Sequence, residues 1–525
     1  MWKETPHLST RIVRKEFFMS IRLSGITSGM DTDAMVSALI SGYSMKKDNL
    51  VKAQTKLSWK QDSWKAMNTK IYGFYSGKLA SARLSSGYSA KSVKVSDSSI
   101  ATVSADSTAV KGTQTLEVKS LATTGYLTGA KIANEDGSKI SSSTKLSEIT
   151  GLTGDDGEGS ITLKTGSGTK TINITADMTI SSLTGKLKDA GINANFDTKN
   201  QRFFLSAKDS GAASDFTLEG SGNSGLAALQ KLGLDPDYST DSENGAVRIK
   251  GQDSKIVLNG ATFTSNTNSF NINGLTIQAT GVSKDGAQTT LTTDTDVDAV
   301  YNSIKDLLKE YNNLVKDMDT AYSAASSKGY EPLTSEEKEA MSDDEVEEWE
   351  KKIKDSLLRR DGTLGGISSS LKTAMGSTIE VGGQKLSLAS FGIKTTGYFS
   401  GDATTRGVYH IDGDSEDDAT KGNEDKLKAA IASDPDKVVE FFSKLSNQVY
   451  SELTKKMKST SLRSMYTVYN DKQMATEYSS YKTKISDMED TISTKEDYYY
   501  KLFSKMEKAM AEANSQQSTL SSYLR

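Results

Sequence analysis

Histidines, cysteines and closely spaced carboxylates are where most protein chemistry starts, and this chain offers few of them in usable patterns. It has two histidines, His7 and His410, and no cysteine in 525 residues. A Ser-His-Asp triad leaves no second imidazole in reserve, and a three-histidine metal site cannot be built at all. Disulfides, thiolate zinc sites and cysteine nucleophiles are excluded. No phosphate-binding loop and no dinucleotide fingerprint follows a strand-like run. Asp412, Asp414 and Glu416 alternate as calcium ligands do, but position six of that loop is Asp417, where the sharp turn requires glycine. An acidic surface loop is the better reading. Carboxylates for glycoside hydrolysis are abundant, yet nothing singles out a pair. The run Ser342 to Glu350, continuing into Lys351 and Lys352, reads as a solvated helix. Glu347 stands four residues before Lys351 and Glu348 four before Lys352. Met341, Val346, Trp349, Ile353 and Leu357 would be its buried side. No catalytic residue, no metal and no cofactor is expected.

With the chemistry set aside, the elements carry the meaning. A chain of 525 residues has room for three or four domains. Its net charge of -4 argues against a dedicated nucleic-acid binder. No apolar run approaches the roughly 20 residues that span a bilayer, so no membrane insertion is expected. Met1 to Phe18 is basic and lacks the apolar core of a secretory signal. Met19 is a second possible start, and residues 1–18 are expected to be a disordered extension.

The stretch Ser24 to Phe74 organises the rest. Asp31 is placed to cap a helix, and Asp33 sits where the helix dipole favours an anion. Val36, Tyr43, Leu50, Leu57, Trp64 and Ile71 then recur every seven residues. Leu39, Lys46, Ala53, Lys60, Met67 and Phe74 follow three residues behind each, a coiled-coil seam flawed at two lysines. Near the other end, Tyr478, Ile485, Ile492, Tyr499, Met506, Ala513 and Leu520 keep the same spacing. Tyr481, Met488, Lys495, Leu502, Ala509, Gln516 and Tyr523 accompany them. A third seam pairs Val297, Ile304, Tyr311 and Met318 with Tyr301, Leu308, Val315 and Tyr322. Such narrow stripes need partner helices. An antiparallel stalk joining the chain's two ends, or pairing between subunits, would supply them.

Between about Ser85 and Thr295 alternation replaces the seven-residue period. Ile161–Leu163 and Ile172–Ile174 flank a glycine turn, and Asn259-Gly260 and Asn273-Gly274 mark two successive hairpins, which suggests a β-meander. A short helix through Ile180, Leu183, Leu187 and Ala190 ends at Gly191. A second runs from about Ser224 to Leu232. Residues 131–245 read as an insertion, with Val93–Val118 and Val247–Leu291 closing one sheet around it. Further on, Leu427, Ala430 and Ile431 lead through Asp434-Pro435 to Val438, Val439, Phe441 and Phe442, a compact helical pair.

The expected fold is α+β and multidomain. Long terminal coiled-coil helices and a helical leg domain frame two β-rich head domains, one inserted in the other. The expected limits are a terminal assembly segment at 19–45, a leg helix at 46–85 and an inner head at 86–130 plus 246–294. An outer head follows at 131–245, the leg domain at 295–470 and the C-terminal coiled coil at 471–525.

The segment Leu23-Ser-Gly-Ile-Thr-Ser-Gly-Met-Asp-Thr-Asp-Ala-Met-Val36 closely resembles the N-terminal signature of flagellar hook-associated protein 2, the bacterial filament-cap family. Ser24, Gly25, Ser28, Gly29, Asp31 and Thr32 carry the likeness. Ser92–Asp97 with Gly112–Val118 looks like the start of that family's head. Thr179 to Leu218 is similar to its inserted β repeat. Ser390–Ile393, Asp425–Leu427 and Asp434–Asp436 look like its later helical part. The resemblance implies a non-enzymatic protein exported by the flagellar type III route without a cleaved signal. It implies a homo-oligomeric ring at the filament tip. The implied partners are flagellin, the hook–filament junction proteins, the export apparatus and an export chaperone. Two other readings stay open: a hook–filament junction protein, and a surface adhesin whose β head binds host glycan or mucin.

Overall fold

The structure is a computed structural model, and it describes residues 29–134, 136–150, 159–238, 244–395 and 407–523. Helix α1 (Thr32–Ser76) and the short α2 (Lys78–Ala82) open it. Then come β1 (Lys91–Val95), β2 (Ala101–Ala105), β3 (Gly112–Ser120), β4 (Thr124–Thr128) and α3 (Leu146–Thr150). These lead into β5 (Gly159–Thr165), β6 (Gly168–Ile174), α4 (Ile180–Ala190), β7 (Asn193–Asp197), β8 (Arg202–Ser210), β9 (Phe216–Ser221) and α5 (Gly222–Lys231). Strands β10 (Val247–Ile249), β11 (Ser254–Leu258), β12 (Ala261–Ser265), β13 (Ser269–Ile272), β14 (Leu275–Ala279) and β15 (Thr289–Thr295) follow. The remainder is mainly helical: α6 (Val297–Tyr322), α7 (Ser335–Glu339), α8 (Asp343–Asp355), α9 (Gly362–Met375), α10 (Lys426–Ser433), α11 (Pro435–Lys456) and α12 (Asp471–Tyr523). Two short hairpin-like pairs, Ile379–Val381 with Gln384–Leu386 and Ile393–Thr395 with Tyr409–Ile411, lie between α9 and α10.

The chain divides into two compact units. One joins the described residues up to Arg83 with Asp306–Asp425 and the chain from Phe441 onward. The other takes Leu84–Lys305 and Lys426–Glu440.

The second unit is the β-rich one. Its sheets run β1-β15-β3-β11-β12 and β13-β14-β2. The alternation of β14 shows why: Leu275, Ile277 and Ala279 are buried while Thr276 and Gln278 face out. Leu116, Val118, Ile256, Phe270 and Leu291 close the same core. Both Asn-Gly turns form, with Asn259 and Asn273 at φ of 50° and 48° ahead of glycines at 82° and 76°. The expected meander and single sheet do not. The two hairpins sit in different sheets, because β12 stays beside β11 while β14 turns to pair with β2.

The insertion has sheets ordered β10-β4-β8-β7 and β6-β5-β9. Strands β4 and β10, which flank the expected insertion, hydrogen-bond into its first sheet. Ile161, Leu163, Ile174, Leu183, Leu187, Phe203 and Phe216 fill its core. Helix α4 is capped by the Thr179 hydroxyl, which accepts from Ser182 N, and ends on left-handed Gly191 as its sequence implies. Helix α5 lies so close to β9 that a Cβ on Gly220 would stand 2.2 Å from Leu226 N. Only glycine fits there.

In the first unit, Tyr311, Leu314, Val315 and Met318 of α6 are buried, as are Leu364, Ile367 and Leu371 of α9. Phe391 and the α11 residues Phe441, Phe442, Leu445, Val449 and Leu453 complete the core. Phe441 lies 4.8 Å from Phe391 and 5.2 Å from Phe442, ring to ring.

Candidate functional site

The two terminal helices are antiparallel partners. Helix α1 starts where Asp31 accepts a 2.9 Å hydrogen bond from Ala34 N. At that end Tyr500 of α12 donates to Asp33 at 2.7 Å. Val36, Ile40 and Phe503 form a small buried cluster there, with Ile492, Tyr499 and Tyr500 against it. At the other end Trp64 stacks on Tyr469 just before α12, with ring centroids 5.4 Å apart and planes 10° off parallel. The same 31-residue span therefore separates the paired points on both strands of the stalk.

The seam residues are not equally used. Val36, Trp64, Met67, Ile71 and Phe74 are buried, whereas Tyr43, Leu50 and Leu57 are half-buried. Leu39 is 46% exposed and its neighbour Ile40 replaces it. On α12, Tyr481, Ile485, Met488, Ile492 and Tyr499 are half-buried, while Tyr478, Leu502 and Met506 are exposed. Phe503, one residue beyond the expected stripe, is the buried one. A straight helix repeats every 3.6 residues, so a strict seven-residue register drifts by about 20° per heptad. By the far end of α12 the contact has moved one position along. The aromatic run at Tyr498–Tyr500 held the signal for this shift: Tyr500, not only Tyr499, turns toward α1.

Of the N-terminal signature, Ser24, Gly25 and Ser28 lie outside the described residues. Gly29 is exposed with φ of 68°, Asp31 is the helix cap, and Thr32 is buried.

Helix α1 also carries a row of ion pairs. Lys52 meets Glu337 at 2.7 Å, Lys60 meets Asp361 at 3.0 Å, Lys70 meets Asp317 at 2.8 Å and Lys78 meets Asp306 at 2.8 Å. The seam flaw at Lys60 is thus a contact with the leg rather than with α12. The hydrogen bond from Lys52 holds Glu337 below the ordinary carboxylate range. Burial alone would raise Glu350, but hydrogen bonds from Lys338 and Lys354 override it and bring it down. A cavity of about 470 Å³ lies mid-stalk between Leu57, Lys56, Arg359 and Tyr481.

Helix α8 forms with a capping box between Ser342 and Glu345. The expected pairs Glu347–Lys351 and Glu348–Lys352 do not form. Lys351 turns to Asp355, and Lys354 turns to Glu350, since each finds a carboxylate one turn further along or back. The acidic loop is engaged internally: His410 Nδ1 lies 2.6 Å from Asp417, and Asp412 takes Lys394 and Asn423. Among the described residues no cluster of His, Asp and Glu could hold a metal ion. No described helix is long and apolar enough to cross a membrane.

The described fold is thus a helical unit that joins the chain's two ends and a β-rich unit that interrupts it in sequence. The chain belongs to the flagellar hook-associated protein 2 family. The sequence model of that family's N-terminus matches residues 28–125 and that of its C-terminus matches residues 251–515. The flagellar hook-associated protein 2 of Halalkalibacterium halodurans is 24% identical over 464 residues, covering 85% of this chain and 83% of that one. The A-type flagellar hook-associated protein 2 of Pseudomonas aeruginosa is 27% identical over 56% of this chain and 62% of that one. Among solved structures, the D1-D2-D3 domains of the Escherichia coli flagellar cap protein FliD align with 75% of this chain and 97% of that chain. The identity is 19% and the TM-score 0.44. The family is structural rather than enzymatic, and so is this chain.

Proposed function

We propose that the chain caps the distal end of the bacterial flagellar filament, where copies of it form a ring that promotes flagellin polymerisation and prevents flagellin loss. The observation that carries this reading is the end of α12, which no described residue covers. Tyr500 already meets the first turn of α1, yet α12 continues to Tyr523, 23 residues or about 35 Å further. Leu502, Met506, Met510 and Leu520 stand exposed on or beside that stretch. A helix with an unburied apolar stripe is a surface that gains stability when partner helices cover it, at roughly 1.5–3 kcal/mol for each large side chain buried. The predicted terminal segment at 19–45, flagellin and neighbouring caps are the partners that the family implies. Export would use the flagellar type III route with its chaperone, and the junction proteins would lie beneath the cap.

Deleting the gene and assaying the culture medium for flagellin tests this. Abundant unpolymerised flagellin with bare hooks, reversed by the intact gene, supports the cap. Full-length filaments and normal swimming would remove it.

One observation favours a second, compatible reading as a surface adhesin. Tyr126, Phe204, Val247 and Ile249 are all exposed on the sheet β10-β4-β8-β7, where the register places Thr128 between Val247 and Phe204. An aromatic sheet face of this kind suits glycan stacking. Binding of labelled mucin glycans, lost in Tyr126→Ala with Phe204→Ala, would support it.

A further inference from the structure

The loop that joins α11 to α12 presents a groove in the first unit that none of the contacts above explains. Tyr75, Met457, Met465 and Tyr466 line a cavity of about 440 Å³, with Lys455 and Lys458 at its rim. Met465 is 62% exposed and Tyr466 46%. Tyr466 is held at φ of 63°, a left-handed conformation that costs a bulky residue of order 1–3 kcal/mol unless its surroundings fix it. They do. Asn68 of α1 donates to Tyr466 O at 3.3 Å and accepts from Val468 N at 2.9 Å, and Tyr466 N donates to Met457 O at 3.1 Å. Behind the groove, Tyr75 stacks on Tyr450 at 4.2 Å, and Tyr72 leans on Tyr466 at 5.6 Å. The fold thus holds an aromatic and methionine surface rigidly toward solvent.

The unpaired charge around it is basic. Lys455 pairs with Glu452, but Lys456 and Lys458 have no carboxylate partner among the described residues. Arg463 binds only backbone carbonyls. The complementary surface lies on the same unit. At the start of α8, Asp343, Asp344, Glu347 and Glu348 are exposed and unpaired among the described residues, and half-exposed Met341 stands just ahead of the cap Ser342.

We propose that the groove receives the acidic tip of α8 from a second copy of the chain. Met341 enters the cavity, and Asp343 and Asp344 face Lys458 and Lys455. The tip cannot come from the same copy. Lys338 holds Glu350 of α8, and its neighbour Glu337 is held by Lys52 of α1. The groove is tied to Asn68. From Lys52 to Asn68 is 16 residues of α1, about 24 Å of helix. Because the two surfaces differ, the contact is head-to-tail and propagates from copy to copy until a ring closes. The proposal rests on the capping reading only in taking the chain as self-assembling.

The absence of cysteine makes the test clean. Single variants Asp344→Cys and Lys458→Cys, both at exposed positions, are mixed at assembling concentration and mildly oxidised. A mixed disulfide dimer is expected, at least tenfold above a mixture of Asp344→Cys with Lys139→Cys in the head insertion. Lys455→Glu with Lys458→Glu should weaken association, and adding Asp343→Lys with Asp344→Lys in the same chain should restore it. No mixed disulfide, a Lys458→Cys homodimer instead, or charge exchange without rescue would each overturn the contact. Filament capping in the cell would be untouched by that failure, since bare hooks and lost flagellin are scored independently.

Discussion

Trp64→Ala is the sharpest test of how the terminal helices hold together. Trp64 is 2% exposed and lies flat against Tyr469, so its removal leaves a cavity between α1 and the start of α12. Deleting a buried tryptophan side chain costs about 3–5 kcal/mol, of which the stacked pair accounts for about 0.5–1.5. That is between two and four orders of magnitude in the folding equilibrium of the leg. The assay uses the distribution of tryptophans. Residues 84–305 contain none, and in a Trp2→Phe background the tryptophans left after the substitution are Trp59 and Trp349, both in the leg. Tryptophan emission therefore follows the leg through a guanidinium titration, while peptide-resolved hydrogen exchange follows the β-rich unit; the two must be read separately in a multidomain chain. A second readout is Tyr469 itself. Burial, then the charges of Asp471 and Asp62, push its phenol above the ordinary value, and in the variant it should titrate closer to normal. A leg transition moved by less than about 1 kcal/mol, or an equal shift in the β-rich unit, would refute the reasoning.

Leu57→Asp or Ile485→Asp, each placing a carboxylate mid-stalk where both residues are half-buried, should leave the β-rich unit folded and abolish capping; either variant restoring motility to a capless strain would sink the seam. Gly220→Ala drives a methyl into the backbone of α5 at Leu226 and should destabilise the insertion by about 2 kcal/mol or more, read as a lowered melting transition. Glu337 and Glu350 both have depressed folded values, so they add stability above the unfolded value of 4.5 and lose it as pH falls through their folded values. Docking of α7 and α8 on α1, followed by Trp59 and Trp349 emission, should be flat from neutrality down to about that value and loosen below it. Loosening near neutrality instead would show that these carboxylates are not the cause.

The long helices were legible because an apolar stripe over six heptads has no other stable reading, and the Asn-Gly hairpins because few turns need two positive φ values. What the sequence concealed is non-local. The residues that meet Lys52, Lys70 and Lys78 lie more than 200 positions away, and nothing near a lysine announces a distant carboxylate. A turn motif says that β13 and β14 pair with each other, but not that β14 will choose β2 over β12. The seven-residue template also hid Ile40, Tyr500 and Phe503. It imposed a supercoil register on a pair of helices that contact one another over too short a span to follow it, and the drift shows at the ends. Tyr466 at positive φ has no sequence signature at all, since only the Asn68 clamp makes that conformation tolerable.

The distribution of forces along α1 says where the stalk is firm. One end has Val36, Ile40 and Phe503 buried together, and the other has Trp64, Met67, Ile71 and Phe74. Each of those side chains contributes on the order of 1.5–3 kcal/mol. Between them Tyr43, Leu50 and Leu57 are only half-buried, a cavity of about 470 Å³ opens beside Leu57, and the leg is held through partly exposed ion pairs. Such pairs are worth about 0–1 kcal/mol each and weaken with salt. The stalk is therefore pinned at both ends and loosely held in its middle. Local opening should cost least around residues 43–57, which lets the end of α1 move with α12 as a hinged pair while Trp64 and Tyr469 keep it anchored to the leg. For a protein that we propose must admit one flagellin after another beneath it, that arrangement keeps the cap attached through its firm contacts and lets the compliant ones absorb each arrival.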